Sequence, residues 1–425
     1  MRSGRAVCAA ALLALTLVAG CARPILGVPT SPGDSTAPGR PSVPNVVGST
    51  SCDRPTGADQ VPESDPASVG LDPERTEAAV AYASARGALS VRIYRHGCLV
   101  ARSGLDPTNE WSPMATWSMT KGVLSLVVGR AVTLGLLDVD DAIGEHLDGL
   151  DAAHGAITVR QLLNQTSGLR FAWANDLNAA ATLDSAARVL TRSFEAEPGT
   201  RFIYAQTTLT ALVAVVEAAV GEDLQAFAQR ELFGPIGIGR GEWSWARDVA
   251  GHSQGFAFLD MAPRALGRLG LLMLDEGMWG DTRVLDAEYV RQGASGTEAN
   301  PAYGFLWWTN EGERHRTAGY VEDDWLERRW VPAAPVDTFG MSGMFNQNIF
   351  VIPSLDMVVV RMGPPQELFG DPMGEIQGRR PAWDHRFFTE LMAGVRDAAV
   401  PTPTEWVPDP DRLPVDLDHA IGIGF

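Results

Sequence analysis

Lysine is almost missing from this 425-residue chain: of its 34 basic residues one is a lysine, Lys121, and the other 33 are arginines. The 52 acidic residues outnumber them and give a formal net charge of -18. Such a surface repels nucleic-acid phosphates rather than neutralising them. The seven histidines show no metal-ligand spacing such as H-E-x-x-H. The composition therefore argues against a nucleic-acid partner, and it predicts no metal site and no cofactor.

Long apolar runs are also scarce, and the one candidate stands at the start of the chain. An apolar stretch over residues 9–18 follows two arginines, which is typical of a signal peptide, here residues 1–20. The letters LVAGC at 17–21 resemble a bacterial lipobox, in which Cys21 would receive diacylglycerol and become the new N-terminus. We therefore expect an exported cell-membrane lipoprotein that faces outside the cytoplasm and is anchored by its lipid only. The alternative is ordinary signal cleavage nearby with Cys21 unmodified.

Cysteine is rare as well, with four in the chain. Cys8 lies in the signal peptide, which leaves Cys52 and Cys98 besides the lipobox cysteine. An oxidising compartment allows this pair to form a disulfide, and two unpaired thiols are the alternative. The sequence leaves the choice open because it does not give the Cα separation that decides it.

The chain divides into a signal peptide, a linker, one large domain and a tail. Residues 21–66 are rich in Pro, Gly, Ser and Thr and predict a flexible linker, and residues 401–425 form a Pro-rich tail. Between them, residues 67–400 are patterned as a globular domain whose middle, about 135–265, is mostly helical. Because strand patterns stand at both ends of this domain, we predict an α+β fold, in which helices flank one antiparallel sheet and an all-α subdomain is inserted. The predicted strands are residues 88–94, 98–102, 304–308, 347–352 and 357–362.

A hydroxyl and an amine lie three residues apart in Ser118-Met119-Thr120-Lys121, at the start of a helical pattern over residues 118–136. On a helix they share one face, so a base stands beside a nucleophile. A lysine can take the serine proton only if its surroundings lower its pKa from about 10.4. Arginine cannot deprotonate in a protein. A chain that uses arginine everywhere else and lysine only here therefore indicates that Lys121 is a base and Ser118 a nucleophile.

Five stretches follow one another along the chain: WSMTKG at 117–122, GLLDVDD at 135–141, ITVRQLLNQTSGL at 157–169, PGTRFIY at 198–204 and VIPSLDMVVV at 351–360. In this order they resemble the serine β-lactamase and penicillin-binding-protein superfamily, in its class C-like branch with 6-aminohexanoate-dimer hydrolases and family VIII carboxylesterases. The resemblance covers residues 67–395, and it implies a serine hydrolase that cleaves an ester or amide through a Ser118 acyl-enzyme.

The second motif of this superfamily, Tyr-x-Asn, reads Tyr204-Ala205-Gln206 here. The resemblance implies that Tyr204 handles protons together with Lys121, and which of the two is the primary base stays open. The alternative is a buried packing tyrosine. Gln206 replaces the usual asparagine and moves the amide by one methylene, so it is a candidate substrate contact in a displaced position.

The third motif of penicillin-recognising members, Lys-Thr-Gly, cannot be present because the only lysine is already used. Its counterpart is Met341-Ser342-Gly343, and the resemblance implies substrate contacts from Ser342, Gly343, Met344 and Gln347. It also implies an oxyanion hole from the backbone N–H groups of Ser118 and Met344. Without a cation to bind a substrate carboxylate, we expect a neutral small-molecule ester, amide or peptide-like substrate.

Three other interpretations remain at this point. GHSQG at 251–255 matches the G-x-S-x-G nucleophile elbow, but no buried strand precedes Ser253 as an α/β-hydrolase requires. A class C-like β-lactamase or DD-peptidase is the nearest enzymatic alternative, and a non-catalytic cell-surface protein of penicillin-binding type is the alternative from another class. A charged, aromatic-containing insert over residues 309–337 forms either a lid or pocket wall or an ordinary surface loop.

Overall fold

The structure is a computed structural model that describes residues 50–172, 184–318, 325–364, 383–400 and 402. The predicted signal peptide, Cys21 and nearly all of the C-terminal tail lie outside the described residues. Within these ranges, no helix is both long and apolar enough to cross a membrane.

A seven-stranded sheet forms the centre of the domain, with every neighbouring pair antiparallel and the strand order β2-β1-β12-β11-β10-β9-β8. The N-terminal hairpin thus pairs with strands from the other end of the chain, as the sequence predicts. The strands are β1 (Ser90–Arg95), β2 (Cys98–Arg102), β3 (Met114–Ala115), β4 (Trp243–Trp245), β5 (Leu259–Met261), β6 (Met278–Trp279), β7 (Thr282–Arg283), β8 (Tyr303–Gly304), β9 (Trp307–Thr309), β10 (Phe339–Gly343), β11 (Gln347–Ile352) and β12 (Met357–Met362).

Helices cover both faces of the sheet, and several short ones fill the middle of the chain. The prediction of an α+β fold is therefore confirmed. The helices are α1 (Pro73–Ala85), α2 (Asp106–Asn109), α3 (Met119–Thr133), α4 (Ala152–Gly155), α5 (Val159–Leu163), α6 (Ser185–Val189), α7 (Thr208–Val220), α8 (Leu224–Phe227), α9 (Pro263–Leu274), α10 (Ala287–Ala294) and α11 (Trp383–Ala393).

Two hydrophobic cores lie on opposite faces of the sheet. Strand β11 alternates between them: Ile349 packs into the core that contains α3 and α9, and Phe350 packs into the core that contains α1 and α11. Alternating side chains point to opposite faces of a strand. This alternation fixes which side chains of β10, β11 and β12 face the helix that begins at Ser118.

Helix α3 is buried nearly all round, as its largely apolar sequence requires. It approaches strand β10 closely at Gly122, where an added Cβ would lie 2.5 Å from Met341 Cγ. A glycine at this position therefore lets the helix and the strand come into direct contact.

One predicted strand is wrong in detail. The sequence predicts a single strand over residues 304–308, whereas the structure has two short strands, β8 and β9, joined by a tight turn. Phe305 and Leu306 form this turn with positive φ angles of 41° and 67°. Bulky side chains rarely adopt such angles, so the residue types did not indicate the turn.

The predicted linker also ends earlier than expected, because residues 50–66 lie against the domain. Arg54 forms ion pairs with Asp275 (2.8 Å) and Asp356. Arg268 donates to the carbonyl oxygens of Gly57 (3.0 Å) and Ala58 (3.2 Å). The proline-rich composition predicted flexibility, but these polar contacts with distant residues hold the segment in place.

A disulfide joins Cys52 in this segment to Cys98 at the start of β2 and closes a loop with a sequence separation of 46. In the chain-entropy account, a cross-link of this span stabilises the fold by about 2–4 kcal/mol. We predict that Cys52→Ser/Cys98→Ser lowers the free energy of unfolding by that amount, measured by urea denaturation. Reductant should destabilise the wild-type protein similarly and leave the double variant unchanged. Equal urea midpoints for wild type and variant would contradict this.

Candidate active site

Ser118 lies at the N-cap of α3, and Lys121 lies one turn further along the same face. Lys121 Nζ is 2.9 Å from Ser118 Oγ and donates a second hydrogen bond to the carbonyl oxygen of Phe256, also at 2.9 Å. The Lys121 side chain is 1% exposed. The hydrogen bond to the Phe256 carbonyl oxygen thus holds the Lys121 amine next to the Ser118 hydroxyl.

The segment before Ser118 is tied to strand β5. Thr116 Oγ1 donates to the carbonyl oxygen of Leu259 at 2.7 Å and lies 3.1 Å from Thr120 Oγ1. Trp117, directly before the serine, has a positive φ of 51°. A non-glycine residue in this conformation is unusual and is over-represented at functional sites. These contacts fix the direction in which the Ser118 side chain leaves the backbone.

Tyr204 joins the same cluster from a distant segment of the chain. Its hydroxyl hydrogen-bonds with the Ser118 side chain, and its ring lies 4.7 Å from Lys121 Nζ. Burial raises the pKa of Tyr204 to about 12, and the hydrogen bond with Ser118 opposes this shift in part. The phenol is therefore neutral across the ordinary pH range. The structure brings together the three residues that the sequence singles out, far apart as they are along the chain.

Gln165 holds the Tyr204 segment, and sequence reasoning assigned it no role. Its side-chain Oε1 accepts from the N–H of Ala205 at 2.7 Å, and its carbonyl oxygen accepts from the N–H of Ile203 at 2.9 Å. Gln165 itself is left-handed, with φ of 57°. Gln165 lies in the ITVRQLLNQTSGL stretch that resembles the superfamily. Only the contact in three dimensions shows that it holds the Tyr204 segment.

The described part of the 309–337 insert packs behind Tyr204. Trp330 stacks on Trp308 with ring centroids 6.3 Å apart, and Trp308 stacks on the Tyr204 ring at 5.8 Å. Asn310 is fully buried and donates to the carbonyl oxygens of Val331 and Pro335 at 3.0 and 2.9 Å. This part of the insert therefore supports the stack of aromatic rings, Trp308 and Trp330, that lies behind Tyr204.

Strand β10 reaches Ser118 at Gly343. A Cβ at this position would lie 2.3 Å from the carbonyl oxygen of Thr116 and 3.2 Å from the amide nitrogen of Ser118. Met344, the next residue, is 49% exposed. The end of β10 thus runs along the backbone of the nucleophile segment, and the backbone of Met344 follows directly.

Two side chains that were predicted to contact the substrate, those of Ser342 and Gln347, form hydrogen bonds within the protein instead. Met341 and Gly343 face α3, so Ser342 faces the opposite side of the sheet, and its Oγ accepts from Asn348 Nδ2 at 3.1 Å. Gln347 binds backbone groups of Gly363 through both ends of its amide. A motif on a strand does not reveal which face each residue occupies, and the assignment of both side chains to the substrate is corrected accordingly. Gln206 is largely buried beside Tyr204.

Ser253 lies in the G-x-S-x-G match but not in a nucleophile elbow. It is 1% exposed, and its Oγ accepts from Gln225 Nε2 at 3.0 Å. Its backbone forms an isolated antiparallel bridge with Arg247 rather than a turn between strand and helix. The neighbouring His252 is paired with Glu217 at 2.5 Å. The described part of the chain also contains no cluster of residues that could hold a metal ion.

Gly343→Ala tests how closely β10 must approach the nucleophile. The new methyl group would clash with the Thr116 carbonyl oxygen, so strand or helix must move. If the strand end supplies an oxyanion donor, we expect kcat for an activated ester to fall about 10²-fold, the size seen when one donor is lost. Gly104→Ala is the matched control, because a Cβ there meets open space, and it should keep wild-type kcat. Full activity in Gly343→Ala would show that β10 need not approach so closely.

A serine, a lysine and a tyrosine meet where a helix starts against a sheet, an arrangement typical of serine hydrolases with the S-x-x-K motif. The chain matches the Beta-lactamase family over residues 74–363, more than half of its length, and it belongs to that family.

Solved structures with the same fold differ widely in sequence. A Bacillus anthracis protein assigned as a 6-aminohexanoate-dimer hydrolase is 16% identical, with 73% of this chain and 81% of that chain covered and a TM-score of 0.55. EstCE1, described as a hydrolase with promiscuous acyltransferase activity, is 18% identical, with 71% and 96% covered and a TM-score of 0.53.

Among curated proteins, the chain is similar to the ML-236A carboxylate methylbutanoyltransferase mlcH of Penicillium citrinum. The two are 29% identical over 160 residues, which is 32% of this chain. The match spans 38% of the length of that relative.

Proposed function

We propose that this protein hydrolyses neutral esters or amides through an acyl-enzyme on Ser118. The observation that carries the proposal is the 2.9 Å contact between Lys121 Nζ and Ser118 Oγ, with the Tyr204 hydroxyl bonded to the same serine. A nucleophile with a base in hydrogen-bond reach and a third group orienting the pair is the arrangement that covalent catalysis requires.

In the proposed acylation, the neutral amine of Lys121 accepts the Ser118 hydroxyl proton as Oγ attacks the substrate carbonyl carbon. The bond from that carbon to the leaving group breaks, and the leaving oxygen or nitrogen takes a proton. Tyr204 is the donor we assign to this step, because its raised pKa keeps the phenol protonated. The phenolate takes back a proton from the Lys121 ammonium, so that both groups return to their starting protonation states. In deacylation a water molecule attacks the acyl carbon and gives one proton to the Lys121 amine. The bond from that carbon to Ser118 Oγ then breaks, the carboxylic acid leaves, and Oγ takes the proton back from Lys121.

We assign the stabilisation of the negative charge that develops on the carbonyl oxygen to hydrogen bonds from the backbone N–H groups of Ser118 and Met344. The close approach of Gly343 to the Ser118 amide supports this, since it brings the two backbones side by side. Ser118 also lies at the N-terminus of a 15-residue helix, where the aligned peptide dipoles favour negative charge.

The preference for neutral substrates rests on the side chains around the nucleophile. The rings of Trp117 and Phe345 pack edge to face at 5.1 Å, next to Ser118 and Met344 in the chain. Phe258, two residues after the carbonyl that binds Lys121, is 38% exposed. Apolar walls with a few placed polar groups are typical of small-molecule sites, and an apolar acyl group fits them better than a carboxylate.

Acyl transfer to an alcohol is a second candidate function. The relative mlcH is named a methylbutanoyltransferase, and the same acyl-enzyme reacts with an alcohol in place of water. The exposed apolar side chains of Met344 and Phe258 favour an apolar acceptor at the mouth of the site.

The direct test is hydrolysis of p-nitrophenyl butyrate by the full chain, compared with the p-nitrophenyl monoester of succinate and with nitrocefin. We expect the wild-type protein to hydrolyse the neutral ester fastest and Ser118→Ala to turn over none of the three substrates. If acyl transfer occurs, part of the product should be the butyrate ester of an added alcohol. Faster turnover of nitrocefin would favour the β-lactamase alternative. No turnover of any of the three by the wild-type protein would favour the non-catalytic alternative.

We also propose that the protein is exported and carries a lipid on Cys21. The disulfide between Cys52 and Cys98 supports export, because such bonds persist in oxidising compartments. In a bacterial host supplied with an alkyne-tagged fatty acid, the wild-type protein should take up the tag and Cys21→Ser should not. Equal tagging of both proteins would show that Cys21 is not the lipid site.

A further inference from the structure

The turn between β10 and β11 adopts a backbone conformation that needs support. Phe345 and Asn346 have positive φ angles of 65° and 63°. Two consecutive left-handed residues are usual for glycine, whereas a phenylalanine there is strained. The turn directly follows Met344, whose N–H is the second proposed oxyanion donor. Whatever holds this turn therefore also holds the donor.

Arg361 of β12 reaches the turn from one face of the sheet. Its guanidinium is fully buried, and Nη1 donates to the carbonyl oxygens of Phe345 (3.1 Å) and Asn346 (2.8 Å). Nη2 donates to the carbonyl oxygen of Arg86 at 2.9 Å. The guanidinium also lies 5.4 Å from the Trp383 ring, in the core on the α1 and α11 side. An arginine fork thus binds the backbone of the turn to parts of the chain that are distant in sequence.

Gln347 reaches the same turn from the other face, which it shares with Ile349. Its Nε2 donates to the carbonyl oxygens of Phe345 (3.0 Å) and Gly363 (2.6 Å), and its Oε1 accepts from the Gly363 N–H at 2.9 Å. The Phe345 carbonyl therefore receives donors from both faces of the sheet, one from Arg361 and one from Gln347.

The turn is also coupled to the nucleophile segment. The Phe345 ring packs against Trp117, which directly precedes Ser118, and Gly343 lies against the Ser118 amide. A shift of the turn would thus move one proposed oxyanion donor relative to the other. Misplacement of a catalytic group by about 1 Å can cost about 10²-fold in rate.

We propose that Arg361 and Gln347 are positioning residues that clamp the Phe345–Asn346 turn and so set the spacing between the two oxyanion donors. This proposal rests on the hydrolytic function proposed above. The clamp acts on transition-state stabilisation and leaves the Ser118–Lys121 pair unchanged. Its loss should therefore lower kcat with little change in KM, and it should leave the shape of the pH profile as in the wild type.

The test compares Arg361→Met with Arg268→Met in full-length protein, using p-nitrophenyl butyrate at a temperature where both variants are folded by circular dichroism. Arg268 is the matched control because it is 1% exposed and also donates to backbone carbonyls, Ile236 at 2.6 Å and Gly57 at 3.0 Å, but not to the turn. We expect kcat to fall about 10–100-fold in Arg361→Met, the loss expected for a displaced oxyanion donor. Arg268→Met should lose stability and keep kcat.

Gln347→Leu probes the clamp from the other face and serves in place of Arg361→Met if that variant does not fold. It should lower kcat about 10-fold with unchanged KM, a smaller effect because one of the two donors to Phe345 remains. Wild-type kcat in a folded Arg361→Met or Gln347→Leu variant would overturn the proposal, as would an equal loss of kcat in Arg268→Met. An inactive wild-type protein would instead refute the hydrolytic function itself, so the two failures are distinguishable.

Discussion

Lys121→Arg should lower kcat/KM for p-nitrophenyl butyrate by about 10³–10⁴-fold, although the substitution keeps the positive charge. General base catalysis typically contributes up to about 10⁴-fold, and an arginine cannot release its proton to become a base. The side chain is buried and lies 2.9 Å from Ser118 Oγ, so no water or other amine replaces it. Steady-state kinetics from pH 6 to 10 measure the effect.

Two controls separate the base from the charge and from the fold. Lys121→Met removes both charge and base and should be as inactive as Lys121→Arg. Arg130→Lys makes the reverse exchange on the same helix, where Arg130 pairs with Glu231 at 3.0 Å, and should keep wild-type activity. If Lys121→Arg retained more than about a tenth of the activity while Lys121→Met lost it, the lysine would act as a cation and not as a base.

Tyr204→Phe should lower kcat about 10²–10³-fold with little change in KM, because it removes a proton donor used after substrate binds. Tyr289→Phe is the matched control: that hydroxyl is also buried and donates to the carbonyl oxygen of Ser125 at 2.8 Å, but it lies outside the proposed site. A drop in kcat for both variants alike would point to a packing role for Tyr204.

The same variant has an expected pH signature in stability. Burial raises the pKa of Tyr204 to about 12, above its unfolded value of about 10. The neutral phenol therefore stabilises the fold fully below pH about 10, and this contribution is lost as the pH rises through about 12. Wild-type protein should lose stability more steeply than Tyr204→Phe between about pH 10 and 12, measured by urea midpoints. Parallel curves would contradict the raised pKa.

The elements that the sequence predicted well are those encoded by local pattern. The apolar helix after Ser118 and the strands at 347–352 and 357–362 follow from periodicity and residue type. The pairing of both chain ends in one sheet was inferred from the strand patterns at the two ends of the domain and from the layer architectures that folds adopt. The Ser118–Lys121 pair was predictable because three residues on a helix fix its geometry. Its significance came from composition, since the chain contains no other lysine.

The remainder depends on contacts between residues distant in sequence, which no local pattern contains. Gln165 meets Tyr204 only through the fold, and Arg361 meets Phe345 only because β12 and β11 pair. Which face of the sheet the Ser342 side chain occupies depends on the strand register, because a shift of one residue moves every side chain to the opposite face. The extent of the linker was wrong because ion pairs such as Arg54 with Asp275 outweigh a flexible composition.

The central claim is that Ser118 is the nucleophile and that Lys121 activates it. The most direct measurement is reaction of the full-length protein with a fluorophosphonate, in which a nucleophilic oxygen displaces fluoride from phosphorus, followed by mass spectrometry of the labelled peptide. We expect a single adduct on Ser118 that is absent in Lys121→Ala. A label on Ser253, or equal labelling of Ser118 with and without Lys121, would contradict the account.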